Sequence, residues 1–360
     1  MKHLLLATLG LASAALAANT AATLKPGKAD LRSAGPLAFG PDGVLFVGDP
    51  MGAQVFALAT GDTKPGKAMP LNVESLHEKI AALLGASADQ ILVNDLAVNP
   101  ASKRVYLSVS RGRGPDAAPA IVTVGDNGKL AELDLANIGN ARMALPQAPA
   151  ADAKDRRGQP ARLEAITDLQ FVDGKLLVAG LSNEEFASNL RAIPFPFSGA
   201  GAAASIEIYH GSHGRFETNA PIRTFTSYNI KNRPHLLAAY TCTPLVRIPM
   251  SDLKSGAKVK GTTIAELGNR NRPLDMIVYK KNGADYILMN NSSRGVMKMP
   301  AANLDGYEAI TAPTEKKGVP YETMAQWKGV EQLDRLDDTH ALMLVRAEGG
   351  ALSLSTVALP

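Results

Sequence analysis

The chain has one cysteine and one tryptophan in 360 residues. A single thiol excludes an intramolecular disulfide framework, a Cys-x-x-Cys zinc site and the Cys-x-x-Cys-His attachment of haem c. One tryptophan, with aromatics at only 5%, argues against WD40-type repeats, whose blades usually carry a tryptophan each. Charge of either sign is also sparse. Lysine and arginine total 38 against 34 acidic residues, a net of +4. That gives no broad basic field, so no nucleic-acid partner is expected. After residue 18 no apolar run reaches the length of a membrane-spanning helix. What is present is a 46% hydrophobic fraction with 32 glycines and 23 prolines. This excludes a wholly disordered chain and supplies one large core or two domains.

The first 18 residues, MKHLLLATLGLASAALAA, form a unit of their own. Lys2 and His3 make a short basic start, Leu4 to Leu16 is apolar, and Ala15-Leu16-Ala17 fits a small-x-small cleavage rule. The segment reads as a secretory signal peptide cleaved near Ala17. A periplasmic or secreted protein follows, expected as a monomer with one domain over 19–360.

The remainder repeats. Leu37-Ala38-Phe39, the turn Gly40-Pro41-Asp42-Gly43, then Val44 to Asp49 and Gln54 to Leu58 make two short apolar strands, a hairpin and a third strand. Asp-Gly marks the hairpin because glycine accepts positive φ at low cost. The triplet returns at Leu96, Leu169, Arg223, Met276 and Gln332. Six such units mean antiparallel sheets stacked radially, because one sheet cannot bury both its faces. The expected fold is an all-β, six-bladed β-propeller. Fourth strands fit at Lys129–Leu135, Ser205–Tyr209 and Thr262–Leu267. The gap between units two and three leaves room for a seventh blade. Its residues 143–162 are rich in alanine, proline and charge, and read otherwise as a loop. A helical insertion is predicted over about 74–85. Ser75 and Glu78 have capping-box spacing, and Leu76, Ile80, Leu83 and Leu84 share a face before Gly85. His77 beside that stripe reads as a surface residue.

The phrase LAFGPDGVLFVGD, Leu37 to Asp49, resembles the blade opening of NHL, gluconolactonase-like and soluble quinoprotein glucose dehydrogenase propellers. The resemblance covers one blade well and the others loosely. It implies the fold and carries no function.

In such a fold the starts of first strands and the ends of second strands meet at one mouth. The starts are Asp95, Asp168 and Asp275, with Glu331 a looser match; the ends include Asp49, Asn183, Tyr240, Cys242, Asn290 and Arg346. Flanking loops add Arg111, Arg113, Arg270, Arg272 and the stretch Tyr209-His210-Gly211-Ser212-His213-Gly214-Arg215. The leading reading is a binding propeller. Arg111, Arg113, Asn183, Arg270, Arg272, Arg294 and Arg346 would hold a small anionic ligand or a periplasmic protein partner, because Arg forks match carboxylate and phosphate. A second reading is a calcium-dependent hydrolase of the gluconolactonase kind. Asp49, Asp95, Asp168, Asn183, Asp275 or Asn290 would supply oxygen ligands and His210 or His213 would move the proton. A third uses His210, His213 and Cys242 as copper or zinc ligands in a redox or accessory protein. Tyr240 beside them is similar to a copper-radical arrangement of the galactose oxidase kind. Single aspartates at strand heads also serve simply to bond backbone N–H groups of a neighbouring blade.

Overall fold

The computed structural model describes residues 20–360 except 115, 156, 157 and 243; the expected signal segment lies outside the described residues. Six small sheets form, each starting at a strand on the central axis. The six inner strands, which define blades 1 to 6, are Leu37–Phe39, Ile91–Val98, Asp168–Val172, Ile222–Ile230, Pro273–Lys281 and Val330–Arg335. The tight turns form as their residue types require. Asp42 and Gly43, Asp173 and Gly174, and Asn282 and Gly283 all take positive φ, the backbone of hairpins with right-handed twist. The fourth strands of blades 2, 3 and 4 are Leu130–Glu132, Ala202–His210 and Thr262–Leu267.

Burial follows the seams between blades. Apolar residues fall into six clusters, one for each pair of adjacent blades. Phe46 of blade 1 packs on Phe171 and Phe195 of blade 3 with ring centroids 5.4 and 4.8 Å apart. Leu45 and Leu58 of blade 1 meet Ala97 and Tyr106 of blade 2. The chain is a six-bladed β-propeller.

The blades do not follow chain order around the ring. Inner-strand contacts close it as 1, 3, 4, 5, 6, 2. After three strands of blade 1 the chain crosses away, and Asn72–Val73 pairs with Leu354 and Ser355 as the outer strand of blade 6. Blade 2 follows. The strand Ile138–Ala144 then returns to pair with Gln54–Leu58 of blade 1. The gap between units two and three therefore holds an outer strand for blade 1, not a seventh blade. The expected loop accordingly begins after Ala144 rather than at 143. Asp62 braces the crossing, accepting hydrogen bonds from Tyr106 Oη at 3.1 Å, Ser102 Oγ at 2.6 Å and Asn99 Nδ2 at 3.0 Å.

The helix spans Leu76–Leu84 and buries Leu76, Ile80 and Leu84 in the seam between blades 2 and 6. The expected capping box does not form. Ser75 takes φ +49, outside the extended conformation a capping serine needs, and its side chain makes no cap bond. His77 is half-buried, its Nδ1 accepting the Leu352 N–H at 3.3 Å.

Candidate functional site

Two groups of ionisable side chains stand out, one on the axis and one at the rim. The axial channel has a volume of about 390 Å³ and is lined by Asp95, Asp168, Asp275 and Asp334. Each aspartate sits on an inner strand, and each carboxylate oxygen accepts one backbone N–H. One bond comes from its own strand: Leu96, Leu169, Met276 or Arg335. The other comes from the next blade of the ring: Leu37 at 2.7 Å, Phe225 at 2.8 Å, Leu333 at 3.0 Å and Val98 at 2.7 Å. The acid of the sixth unit is therefore Asp334, which the sequence reading missed. Glu331 instead pairs with Arg346 through Nε at 2.5 Å and Nη2 at 2.9 Å. Burial pushes Asp95 up to about 8, Asp168 to about 7 and Asp334 to about 6. Burial, then repulsion from Asp95 and Asp168, lifts Asp275 well above the ordinary range.

The other expected site residues scatter. Asp49 is buried in blade 1, where it accepts bonds from Arg32 N, Ser33 N and Oγ, Gly52 N and Gln54 Nε2. Asn290 is paired with Asp275 across strands and buried. Asn183 is exposed. Arg111 bonds the carbonyl of Leu84 and Arg113 that of Asp89. Arg272 donates its backbone N–H to Ser292 Oγ, 3.0 Å away. Arg270 and Arg294 meet in one cleft.

His210, His213 and Cys242 do come together. Among the described residues they are the only set of three or more histidine, cysteine or carboxylate groups with ligand atoms all within 4.8 Å of one another. Two blades build the site. His210 ends the fourth strand of blade 3, a one-turn 3₁₀ segment Gly211–His213 follows, and Arg215–Glu217 returns as a hairpin strand. Cys242 follows the second strand of blade 4 in a turn at φ +63, its N–H bonded to Asn271 O at 2.7 Å.

The orientation is set by two glutamates that sequence reasoning passed over. Glu217 accepts from His210 Nδ1 at one oxygen and His213 Nδ1 at the other, both at 2.8 Å. Arg215 Nε adds a bond at 3.2 Å. Burial alone would raise Glu217, but the histidine bonds outweigh it and hold the carboxylate down at about 2. With both Nδ1 atoms donating, each ring presents Nε2 as a lone-pair donor. The rings lie 3.9 Å apart between centroids. His210 is 2% exposed and its Nε2 has no hydrogen-bond partner. Glu266 of blade 4 is fully buried, and its Oε1 accepts the Gly211 N–H at 2.5 Å. A Cβ on Gly211 would stand 2.8 Å from Glu266 Cγ, so only glycine lets the loop seat there. Burial pushes Glu266 up to about 7. Tyr240 is fully buried, its hydroxyl unpartnered, and burial drives its phenol far above the usual range. The one sequence signal for Glu217 was alternation: Arg215 and Glu217 flank Phe216 and share a face.

No family model matches the chain, and no curated protein matches it. A solved structure from Thermus thermophilus, described as an oxidoreductase (glucose dehydrogenase), is similar at 12% identity and a TM-score of 0.32, covering 93% of this chain and 100% of that one. A likeness at that level carries no functional argument, and the fold stands on its six sheets and their seams.

Proposed function

We propose that the protein is an exported propeller that binds a transition-metal ion, of the copper or zinc class, at His210, His213 and Cys242. The observation that carries this reading is the buried Nε2 of His210. It has no partner, and a buried polar atom without one costs about 1–3 kcal/mol. Its ring is held by Glu217, the carboxylate–histidine arrangement that orients metal-ligating imidazoles and raises their basicity. Two imidazoles and a thiolate are the donor set that softer divalent and monovalent metals select. Ligand atoms within 4.8 Å of one another need draw in by only about 1 Å to meet a metal at bond lengths of about 2.0–2.3 Å. Three protein donors leave a coordination position open to a further ligand.

The same reasoning disfavours calcium at the axis. Every axial carboxylate oxygen already accepts a backbone N–H.

The test is metal analysis of the purified mature chain after incubation with zinc or copper and dialysis. One equivalent is expected, with a rise in melting temperature that chelator reverses. A chain that retains no metal and melts identically in chelator would overturn the reading.

A further inference from the structure

A cleft of about 390 Å³ opens beside the rim cluster, between the Gly268–Arg270 loop that leaves blade 4, the Arg294 turn of blade 5 and Lys316 on the outer edge of blade 4. That volume lies within the range of about 300–1,000 Å³ typical of small-molecule sites. We propose that this cleft binds a small oxyanion, a carboxylate or phosphate, through Arg270, Arg294 and Lys316.

The cations are presented, not merely present. Gly268 takes φ +111, and a Cβ there would stand 2.6 Å from Arg294 Cζ and 2.8 Å from its Nε. Only glycine lets the guanidinium lie against the loop. Arg294 Nη2 donates to Asn269 O at 2.9 Å, which engages one of the five guanidinium donors. Arg270 is held at both backbone ends. Its N–H bonds Asn269 Oδ1 at 2.7 Å, and its carbonyl accepts from Ser293 Oγ at 2.8 Å. Lys316 Nζ sits 4.7 Å from the centre of the Tyr321 ring. Among the described residues neither Arg270 nor Arg294 has an ion-pair partner. Glu315 is the one acid on the lining. Three cations against one carboxylate leave a net charge of +2. Planar guanidinium forks match carboxylate and phosphate oxygens.

The walls of the cleft continue into the loops that carry the metal donors. Asn271, next to Arg270, holds the Cys242 N–H through its carbonyl at 2.7 Å; Thr314, two residues before Lys316, donates its N–H to Gly211 O at 3.0 Å. Pro313 packs against Gly214, 3.1 Å from where a Cβ would stand. An anion seated in the cleft is thereby linked to the cluster through short, hydrogen-bonded backbone. The anion site stands on its own residues; only its coupling to the cluster rests on the metal reading.

Calorimetric titration of the full mature chain with inorganic phosphate and with succinate, in metal-free and zinc-loaded forms, tests the proposal. At least one anion should bind, at least tenfold more weakly in Arg294→Ala and in Arg270→Ala, and more weakly as salt rises. Phosphate binding alone identifies the inorganic source and succinate binding alone the organic one; either supports the site. Zinc loading should tighten the anion, and His210→Ala should erase that tightening. A chain that retains neither zinc nor copper but binds anion refutes the metal reading and leaves this one standing. No heat with either anion, or unchanged affinity in Arg294→Ala, overturns it.

Discussion

The axis and the rim of this propeller both collect ionisable side chains, and they treat them in opposite ways. On the axis, all eight oxygens of Asp95, Asp168, Asp275 and Asp334 accept backbone N–H groups. At the rim, Glu217 satisfies both histidines at Nδ1 and leaves a buried Nε2 without a partner. A carboxyl group whose two oxygens each hold a backbone N–H has a structural task. The ring aspartates pass one bond from each of blades 3, 5, 6 and 2 to the next blade, which fixes inner strands against one another. A buried donor atom held in place and left unpaired has a task that needs a further atom. The difference is visible only in the hydrogen-bond account, since both regions are similarly rich in titratable groups.

Replacing a rim ligand should have the largest effect. His210→Ala is expected to lower metal affinity more than about 100-fold, beyond the roughly 10–100-fold that loss of an outer partner costs. Asp168→Asn should leave metal uptake unchanged. Competition titration with a chromogenic chelator reads both, and metal loss in the axial variant rather than the rim variant would reverse the assignment.

The axis should announce itself in the pH dependence of stability. Asp95, Asp168 and Asp334 titrate near 6 to 8 when folded, against about 3.9 in an unfolded chain. Between those values the folded state binds more protons than the unfolded state, so stability falls as pH rises. The contribution is complete below about pH 4 and is lost through pH 6 to 8. Calorimetry of metal-free protein should therefore give a higher melting temperature at pH 5 than at pH 8. Asp95→Asn with Asp168→Asn should flatten the slope. A melting temperature that rises over that interval in the parent chain would contradict the raised acids.

Glu217 separates the regions more finely. Glu217→Gln keeps the size of the side chain but weakens the hold on both Nδ1 atoms. It should reduce metal affinity by about 10–100-fold, a milder loss than removing a ligand. The part of the pH slope between 5 and 8 that the axial acids supply should remain, while Glu266, freed of repulsion from Glu217, should titrate lower.

Much of this was legible in the chain. Asp-Gly and Asn-Gly turns located the inner hairpins of blades 1, 3 and 5, because glycine and asparagine tolerate the positive φ those turns require, and the apolar triplets alone located the other three. The ring order was not legible. Asn72–Val73 is two residues long and finds its partners Leu354 and Ser355 at the far end of the chain, and alternation tells that a strand exists without telling what it pairs with. His210, His213 and Cys242 were visible as metal-binding types. Glu217 and Glu266 were not, because a glutamate in an alternating strand reads as solvent-facing until tertiary packing buries it. Three of the four axial aspartates were found in register, but their partners are backbone N–H groups of other blades, which no side-chain pattern encodes.

Arg346 offers the smallest effect and the closest control. Its partner Glu331 lies three residues before Asp334 on the same inner strand, and the sequence alone offers it as the axial acid of the sixth unit. The structure turns it outward, where the pair is 39% and 36% exposed. A partly exposed ion pair contributes at most about 1 kcal/mol. Asp334→Ala, by contrast, strips the acceptor from the Val98 and Arg335 N–H groups, a loss of about 1–3 kcal/mol when such donors are left buried. Urea denaturation of Arg346→Ala and Asp334→Ala should therefore separate two neighbours that look equivalent in sequence. Equal losses would mean that blade-to-blade bonding is not what the axial carboxyls supply.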